Sequence, residues 1–167
     1  RAAARAAFQD LPTSEAIDEG WKLLSNERPI RFNEMEYHLP LGQQVPALRE
    51  VIEAIERHRS DVFFPIEART ICQDDAWLSP FFGRDSGSIA VHAYYKDEHQ
   101  FFFDLIEPIL RRYDGRPHWG KLHSLGARDF AALYPRFADA AALRREVDPE
   151  GRLLNAHLRK VFVDDAA

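Results

Sequence analysis

A lysine in the second half of this sequence lies in a segment that could prepare it for chemistry. Lys121 closes a hexapeptide at residues 116–121 (sequence RPHWGK). Pro117 fixes one backbone torsion, Gly120 admits the close approach of a backbone or a flat ligand, and Trp119 can exclude water beside the ammonium. An ammonium held in this way is a strong point charge and an acid–base group whose ionisation is easily shifted. The alternative interpretation is a surface turn that carries a solvated lysine.

A second candidate group comes from the β-rich segment at residues 62–71. Strand alternation puts Glu67 and Arg69 on one face, and the other face carries Val62, Phe64, Ile66 and Ala68. An acid and a guanidinium two residues apart would line a cleft if another part of the protein covered that face. On an uncovered sheet they would form a solvated ion pair, which contributes little to stability.

A third predicted strand, at residues 88–95, offers a similar pair. His92 and Tyr94 share one face of this strand, and its apolar residues share the other. Either side chain could contact a substrate, or both could be satisfied polar groups of the core. For His92 the second interpretation is favoured.

The composition excludes several classes of function. The chain has 167 residues, of which 46% are hydrophobic, and a formal net charge of −5. A negative net charge argues against nonspecific nucleic-acid binding, and no apolar run approaches the ~20 residues of a membrane span. The seven histidines show no metal-ligand spacing. Cys72 is the only cysteine, which rules out an internal disulfide and predicts a reducing, cytoplasmic location.

The order of predicted elements indicates an α+β fold. Apolar periodicity and breaker residues predict strands at residues 31–39, 62–71, 88–95 and 117–124, and helices at residues 14–25, 43–59, 98–113, 127–134 and 136–146. After the first helix the order is βαββαβ, which is that of a ferredoxin-like antiparallel sheet with helices on one face. The last two helices follow as a C-terminal addition.

This topology creates a difficulty for the candidate residues. The ferredoxin-like strand order places the second and fourth strands at opposite edges of the sheet. Three strand spacings then separate Arg69 from Lys121 by about 14 Å at the backbone. We therefore expect either a strongly twisted sheet or a hexapeptide that is not a regular edge strand.

Several short segments, in the same order along the chain, resemble the sugar-1,4-lactone oxidase and dehydrogenase family. This family includes the L-gulono- and D-arabinono-1,4-lactone oxidases, with alditol oxidases as relatives. The resemblance is nearly continuous from about residue 31 to the C-terminus. It is carried by residues 34–37 (EMEY), 65–69 (PIEAR), 77–80 (WLSP), 83–86 (GRDS), 116–121 (RPHWGK), 133–137 (LYPRF) and 148–152 (DPEGR).

The resemblance implies an FAD-dependent oxidoreductase that oxidises the secondary alcohol of an aldono-1,4-lactone and passes hydride to the flavin N5. Residues 31–167 would be its C-terminal substrate, or cap, domain, and residues 1–30 the helical end of a preceding segment. The only methionine is Met35, so Arg1 is not expected to be a native start. No glycine-rich phosphate loop occurs in the chain, and we expect FAD to be bound mainly by an N-terminal domain outside it.

The resemblance also implies roles for the candidate residues. Lys121 and Arg69 would stabilise the developing alkoxide, and Glu67 would orient one of these cations and bind a substrate hydroxyl. Tyr94 and His92 would contact the substrate. His118 and Trp119 would face the cofactor. The general base stays open, because Lys121 would serve only in its neutral form.

Two alternatives remain beside the lactone-oxidising enzyme. The first is an alditol oxidase of the same family. The second is a ferredoxin-like binding module without catalysis, which explains the fold but not the family-like arrangement of Glu67, Arg69 and Lys121. The sequence leaves the electron acceptor open between oxygen and another oxidant.

Overall fold

The computed structural model describes residues 17–25 and 30–163 of the chain. Four strands form a single sheet: β1 (Phe32–Pro40), β2 (Glu67–Ile71), β3 (Ser86–Tyr94) and β4 (Arg116–Pro117). The α-helices are α1 (Gly20–Leu24), α2 (Gln44–His58), α3 (Glu107–Arg112), α4 (Ala127–Leu133), α5 (Phe137–Val147) and α6 (Ala156–Phe162). None of the helices in this described part is long and apolar enough to span a bilayer.

The strands lie in the order β2-β3-β1-β4, and every neighbouring pair is antiparallel. The longest pairing joins β1 to β3, from Phe32 opposite Tyr94 to Pro40 opposite Ser86. The predicted α+β class and antiparallel sheet are therefore confirmed, and β2 and β4 lie at opposite edges. The finer ferredoxin-like assignment stays a prediction.

The fourth strand is much shorter than the sequence predicted. Residues 117–124 were expected to be extended, but β4 ends at Pro117 and the chain then makes a turn in which Lys121 N donates to His118 O (3.2 Å). The edge of β1 still anchors this turn on both sides, because His118 N donates to Glu36 O (2.9 Å) and Leu122 N donates to Glu34 O (3.0 Å). The hexapeptide is thus not a regular edge strand.

The second strand also begins later than predicted. β2 starts at Glu67, whereas the sequence predicted a strand from residue 62. Residues 62–66 are irregular, and Pro65 among them has no N–H with which to extend the ladder. The two candidate residues, Glu67 and Arg69, nevertheless lie within the strand and on the same face.

The predicted helix at 43–59 is confirmed as α2, but its inward face is partly different. Val45 and Ile52, which were expected to be buried, are 54% and 38% exposed. The buried positions are Gln44, Ala47, Val51 and Ile55, with Leu48 partly buried beside them. Gln44 takes an inward position because its amide satisfies backbone carbonyl groups of the sheet.

The predicted helix at 98–113 has a break in its regular pattern. A π-helical turn covers Phe102–Ile106, and α3 continues from it. Pro108 explains the change, since it has no N–H to donate to the preceding turn. Of the four residues predicted to face inward from the apolar pattern, Phe102, Ile106 and Ile109 are buried, and Leu105 is only partly buried.

The predicted helices at 127–134 and 136–146 are confirmed as α4 and α5. A further helix, α6, was missed. Asn155 caps its first turn by accepting a hydrogen bond from Leu158 N (2.8 Å), and an Asn before an apolar run is the signal that was available. Of the predicted helix at 14–25, residues 14–16 lie outside the described residues and α1 begins only at Gly20.

The core lies between one face of the sheet and the helices. Gly115 lets the chain enter β4 close to this core, since a side chain there would collide with Leu110 O and the Tyr37 ring. The largest fully buried side chains are those of Tyr37, Tyr134, Phe102, Phe130, Met35, Leu39, Ile89, Ile106, Leu110 and Leu125. Since alternate residues of β1 and β3 fill this core, their other side chains form the opposite face of the sheet.

Candidate functional site

The side of the sheet opposite the core is lined mainly by polar residues, and we call it the polar face. Antiparallel register aligns its members across the strands, with Glu34 opposite His92 and His38 opposite Ser88. Its members are Glu34, Glu36 and His38 of β1, Ser88, Ala90, His92 and Tyr94 of β3, and Glu67 and Arg69 of β2.

Lys121 reaches the polar face from the turn after β4. Its Nζ donates to Glu34 Oε1 (2.5 Å) and to Glu36 Oε2. The Lys121 side chain is only 20% exposed, so both ion pairs form in a setting that is largely shielded from water. The turn therefore places a cation beside β1, one of the two inner strands of the sheet.

Arg69 approaches the Glu36 carboxylate from the opposite edge of the sheet. Its Nη2 donates to Glu67, and its Nη1 lies 3.7 Å from Glu36 Oε1. The strand between them carries small residues at the facing positions, because Ser88 is opposite Arg69 and Ala90 is opposite Glu67. The guanidinium can therefore extend across β3 without a collision.

Gln44 of α2 holds the backbone on which Arg69 is placed. Its Nε2 donates to Arg69 O (2.8 Å) and to Ser88 O (3.1 Å) from the core side of the sheet. A side chain on Gly87 would collide with Gln44, so a glycine is needed at this close approach. The helix therefore fixes β2 and β3 relative to each other at the level of Arg69.

The separation that the sequence predicted between Arg69 and Lys121 is bridged by Glu36. Both cations contact this one carboxylate on the polar face, and they come from opposite edges of the sheet. The sequence reasoning did not select Glu34 or Glu36 as site residues. The available signal was the strand alternation of the EMEY segment, which puts two acids on one face of β1.

The two carboxylates of β1 are held in their ionised forms. Burial alone raises the pKa of Glu34, but hydrogen bonds from His92 and Lys121 outweigh it and lower the pKa to about 2. For Glu36, burial likewise raises the pKa, and the hydrogen bond and charge of Lys121 produce a net decrease. The polar face is thus an alternating array of negative and positive groups.

Both ring nitrogens of His92 contact other groups of the protein. Its Nδ1 donates to Pro65 O (3.1 Å), and its Nε2 lies 3.2 Å from Glu34 Oε1. Burial lowers the pKa of His92, but the hydrogen bond and charge of Glu34 reverse the effect and the net pKa is raised. Both partners are hydrogen-bond acceptors, so this arrangement favours the protonated form of the His92 ring. Its predicted role in substrate binding stays a prediction.

Tyr94 lies farther along the same strand, at its end. It is opposite Phe32 in the β1–β3 ladder, and its ring makes an edge contact with that of Tyr95 at 4.9 Å. It lies one side-chain position beyond His92 on the polar face, away from Arg69. The predicted contact between Tyr94 and substrate stays a prediction.

Trp119 anchors the turn that carries Lys121. Its Nε1 donates to Leu78 O (2.9 Å), and its ring packs against Phe130 at 4.6 Å and Phe162 at 5.9 Å. The indole thus joins the turn to the C-terminal helices. Its predicted contact with the cofactor stays a prediction.

His118 stabilises the same turn by a different contact. Its Nδ1 accepts a hydrogen bond from Gly120 N (3.1 Å), and its ring centroid lies 6.0 Å from that of His38. Burial lowers the pKa of His38 to about 4, so this neighbour is neutral at physiological pH. The predicted orientation of His118 toward the cofactor stays a prediction.

Arg116 connects the hexapeptide to two other family-like segments. Its buried guanidinium donates to the carbonyl oxygens of Leu133 (2.9 Å), Pro80 (3.1 Å) and Phe82 (2.9 Å). These contacts pair the Nε and Nη1 groups of Arg116 with three backbone carbonyl groups. Arg116 is therefore a structural residue that fixes the position from which the turn starts.

A cleft of about 420 Å³ opens beside Lys121. Its walls are the beginning of β1, the turn at residues 119–122 and His157 of α6, with Glu34 and Lys121 facing it. Two buried polar atoms of the polar face, His38 Nδ1 and Ser88 Oγ, have no hydrogen-bond partner among the described residues. Both observations are typical of a functional surface more than of a folding core.

The described residues do not form a complete cofactor site. Within ranges 17–25 and 30–163 there is no group of three or more His, Cys, Asp or Glu side chains that could hold a metal ion. The glycines of the chain form no phosphate-binding loop. The described residues therefore do not by themselves make a dinucleotide site.

Comparison with known proteins places this chain in a family. The profile of the D-arabinono-1,4-lactone oxidase family matches residues 1–161. The chain is 38% identical over 152 residues to an L-gulono-1,4-lactone dehydrogenase of Mycobacterium tuberculosis, covering 91% of the chain and 36% of that protein. It is 35% identical over 153 residues to the L-gulonolactone oxidase of Mus musculus, covering 89% and 35%.

A third relative is named for a different substrate. The chain is 37% identical over 135 residues to an alditol oxidase of Streptomyces, covering 76% of the chain and 31% of that protein. The chain thus spans about a third of the length of the curated relatives that it matches. Since the family profile covers nearly the whole chain, the chain belongs to the D-arabinono-1,4-lactone oxidase family.

Proposed function

We propose that this chain is the C-terminal, substrate-side part of an FAD-dependent oxidoreductase that oxidises the secondary alcohol of an aldono-1,4-lactone. The observation that carries the proposal is the convergence of Lys121 and Arg69 on Glu36 at the polar face. Family membership supports the reaction class, and relatives named for L-gulonolactone support the substrate class.

The two cations meet the main electrostatic demand of the reaction. When an alcohol carbon loses hydride and its hydroxyl loses a proton, negative charge develops on the oxygen. Lys121 supplies a point charge from a largely shielded position, and Arg69 supplies a planar set of donors from a half-exposed one. Groups held in advance by other side chains stabilise such charge without reorganising during the reaction.

Glu67 orients the guanidinium and leaves an acceptor for substrate. It accepts a hydrogen bond from Arg69 Nη2, and its side chain is 40% exposed. A carboxylate with spare lone pairs is suited to bind the hydroxyl groups of a sugar. Glu67 and Arg69 would therefore fix how the substrate lies on the sheet.

The flavin, when bound, would supply the electron acceptor. In the proposal a segment outside this chain holds the dinucleotide and covers the polar face. Closure of such a cleft would exclude water and strengthen the charge interactions within it. We propose a cytoplasmic location on the basis of the cysteine content, and the terminal electron acceptor stays open.

An alditol oxidase is the second candidate, because one relative carries that name. An open-chain polyol offers the same secondary alcohol and hydroxyl pattern as a lactone, without the ring carbonyl. The two candidates differ in which compound reduces the flavin faster. A binding module without catalysis is the remaining alternative, and it predicts no reduction by either compound.

The test uses the full-length polypeptide that contains this chain, loaded with FAD. Anaerobic flavin reduction is followed in a stopped-flow instrument with L-gulono-1,4-lactone, D-arabinono-1,4-lactone or xylitol. Arg69→Lys keeps the charge but loses the planar donor set, so we expect the reduction rate to fall by about 10²–10³. Glu67→Gln should lower the same rate, whereas Arg57→Lys on the exposed side of α2 is the control.

If both Arg69→Lys and Glu67→Gln reduce the flavin at the wild-type rate, Glu67 and Arg69 form only a surface ion pair and have no role in the reaction. Absence of reduction by any lactone or polyol in the wild type would contradict the catalytic proposal itself.

A further inference from the structure

One carboxylate of the polar face contacts both cations of the proposed reaction. Glu36 accepts a hydrogen bond from Lys121 Nζ at one oxygen, and Arg69 Nη1 lies 3.7 Å from the other. Glu36 is only 4% exposed, so a substrate has little access to its carboxylate. A buried carboxylate needs compensating partners, and here the partners are the two groups that carry the chemistry.

We propose that Glu36 is a positioning residue whose carboxylate holds the Lys121 ammonium and the Arg69 guanidinium at a fixed separation, so that both act on one bound substrate. This inference rests on the proposed function and extends it to a residue that the sequence reasoning did not select.

Electrostatics explains why an anion is needed at this point. Lys121 comes from the β4 edge and Arg69 from the β2 edge, and two like charges repel each other when they approach one site. The Glu36 carboxylate lies between them and attracts both. Burial raises the pKa of Glu36, but the hydrogen bond and charge of Lys121 lower it overall, which keeps the bridge charged.

The backbone of Glu36 reinforces the same arrangement. Glu36 O accepts a hydrogen bond from His118 N at 2.9 Å, so this one residue holds both the start of the turn and the ammonium at its end. Glu34 also holds this turn, because its O accepts from Leu122 N at 3.0 Å and its Oε1 contacts Lys121 Nζ at 2.5 Å. It differs from Glu36 in its second side-chain partner, which is His92 Nε2 at 3.2 Å, and no contact joins it to Arg69 among the described interactions. Glu36 is thus the link between the two edges of the sheet.

The experiment measures anaerobic flavin reduction by saturating L-gulono-1,4-lactone across pH, in the FAD-loaded full-length polypeptide. Glu36→Gln keeps the shape of the side chain but removes its charge. We expect the reduction rate to fall by about 10²-fold, as for small misplacements of catalytic groups, with little change in KM. The pH–rate profile should also change, because one fixed negative charge is removed beside both cations.

Glu36→Asp is the conservative variant. It retains the charge but shortens the side chain by one methylene, so the wild-type pH profile should return while the rate is recovered only in part. Glu53→Gln, on the exposed side of α2, is the control for the loss of one carboxylate and should behave as wild type. Rates are expressed per folded, flavin-loaded protein, which separates a stability effect from a positioning effect.

The outcomes distinguish this inference from the proposed function. If Arg69→Lys and Lys121→Ala slow reduction but Glu36→Gln does not, or if Glu36→Gln lowers only thermal stability, the positioning role is wrong. If all variants reduce flavin at the wild-type rate, the proposed function is wrong as well. Should Glu36→Gln not fold, Glu36→Asp decides: a full wild-type rate contradicts the role, and a reduced rate at the wild-type pH profile supports it.

Discussion

At the residue scale, Lys121 is the group on which the proposed chemistry depends most. It is the cation held by both carboxylates of β1. If it stabilises charge that develops in the transition state, Lys121→Ala should lower kcat and kcat/KM together by about 10²–10³. The measurement is anaerobic flavin reduction by a saturating aldonolactone across pH, with wild type and variant compared.

Two other results would assign Lys121 a different role. A rise in KM with an unchanged kcat would show that it only holds substrate. A wild-type reduction rate would make the hexapeptide a packing motif. Removal of Lys121 also leaves Glu34 and Glu36 without their shared cation. Because these ion pairs are largely buried, we expect the free energy of unfolding to fall by about 3 kcal/mol. Denaturant titration measures this loss.

At the scale of elements, the turn between α5 and α6 makes a specific demand on the sequence. Gly151 has a φ of +66°, and the Asp148 carboxylate accepts hydrogen bonds from Arg152 N (2.8 Å) and Leu153 N (3.0 Å). These hydrogen bonds lower the pKa of Asp148, and the bond from Leu153 N has the largest effect. The turn directs α6 to the position where its residues pack on Trp119.

Gly151→Ala should therefore destabilise the protein. An alanine in the left-handed region costs about 1–2 kcal/mol, and its Cβ would also lie 3.3 Å from the Leu154 side chain. The free energy of unfolding from denaturant titration measures the loss. Gly42→Ala is the control, because no atom lies within 4 Å of the added methyl group and its φ is not positive. Equal stability of the two variants would contradict this account of the turn.

At the scale of the whole molecule, the buried His38 and the partly buried His123 should set the onset of acid destabilisation. Burial lowers the pKa of His38 and of His123 to about 4 in the fold, whereas an unfolded histidine titrates near about 6.5. Stability should be fully present above about pH 6.5 and decrease as the pH falls toward 4, because the unfolded chain binds protons first. His92, whose pKa is raised, loses its contribution only as the pH rises.

His123→Phe tests this window. The His123 ring already packs on Phe130 at 5.4 Å, and its two ring nitrogens have no hydrogen-bond partner among the described residues. A phenyl ring should therefore be tolerated and should make unfolding less dependent on pH between about 6.5 and 4. Thermal melting across pH measures the slope, with His58→Phe at the exposed end of α2 as the control. An unchanged slope in His123→Phe would contradict the assignment.

At the same scale, we consider whether this chain can bind FAD by itself. The chain has no phosphate-binding glycine loop, and it spans about a third of its relatives. We expect residues 1–167 alone neither to bind FAD tightly nor to oxidise sugar lactones. Gel filtration of the purified chain with FAD, followed by flavin absorbance, measures this, and stoichiometric co-elution would show that the cofactor site lies within the chain.

The sequence by itself determined the family and the α+β class, and it supplied candidate residues for the proposed chemistry. Short-range patterns carry this information, because strand alternation puts Glu67 and Arg69 on one face and the hexapeptide around Lys121 is contiguous. Helix α2 was also predictable, since its apolar periodicity is local. Its exposed Val45 shows the limit, because burial depends on what packs against each face.

Only the tertiary structure decided how the candidate residues meet. The bridge through Glu36 depends on strand order, on small residues at Ser88 and Ala90, and on a turn that ends β4 after two residues. Each of these is a relation between segments distant in the chain, and no local pattern specifies it. The acids of β1 were therefore overlooked in the sequence, although they organise the charges of the polar face.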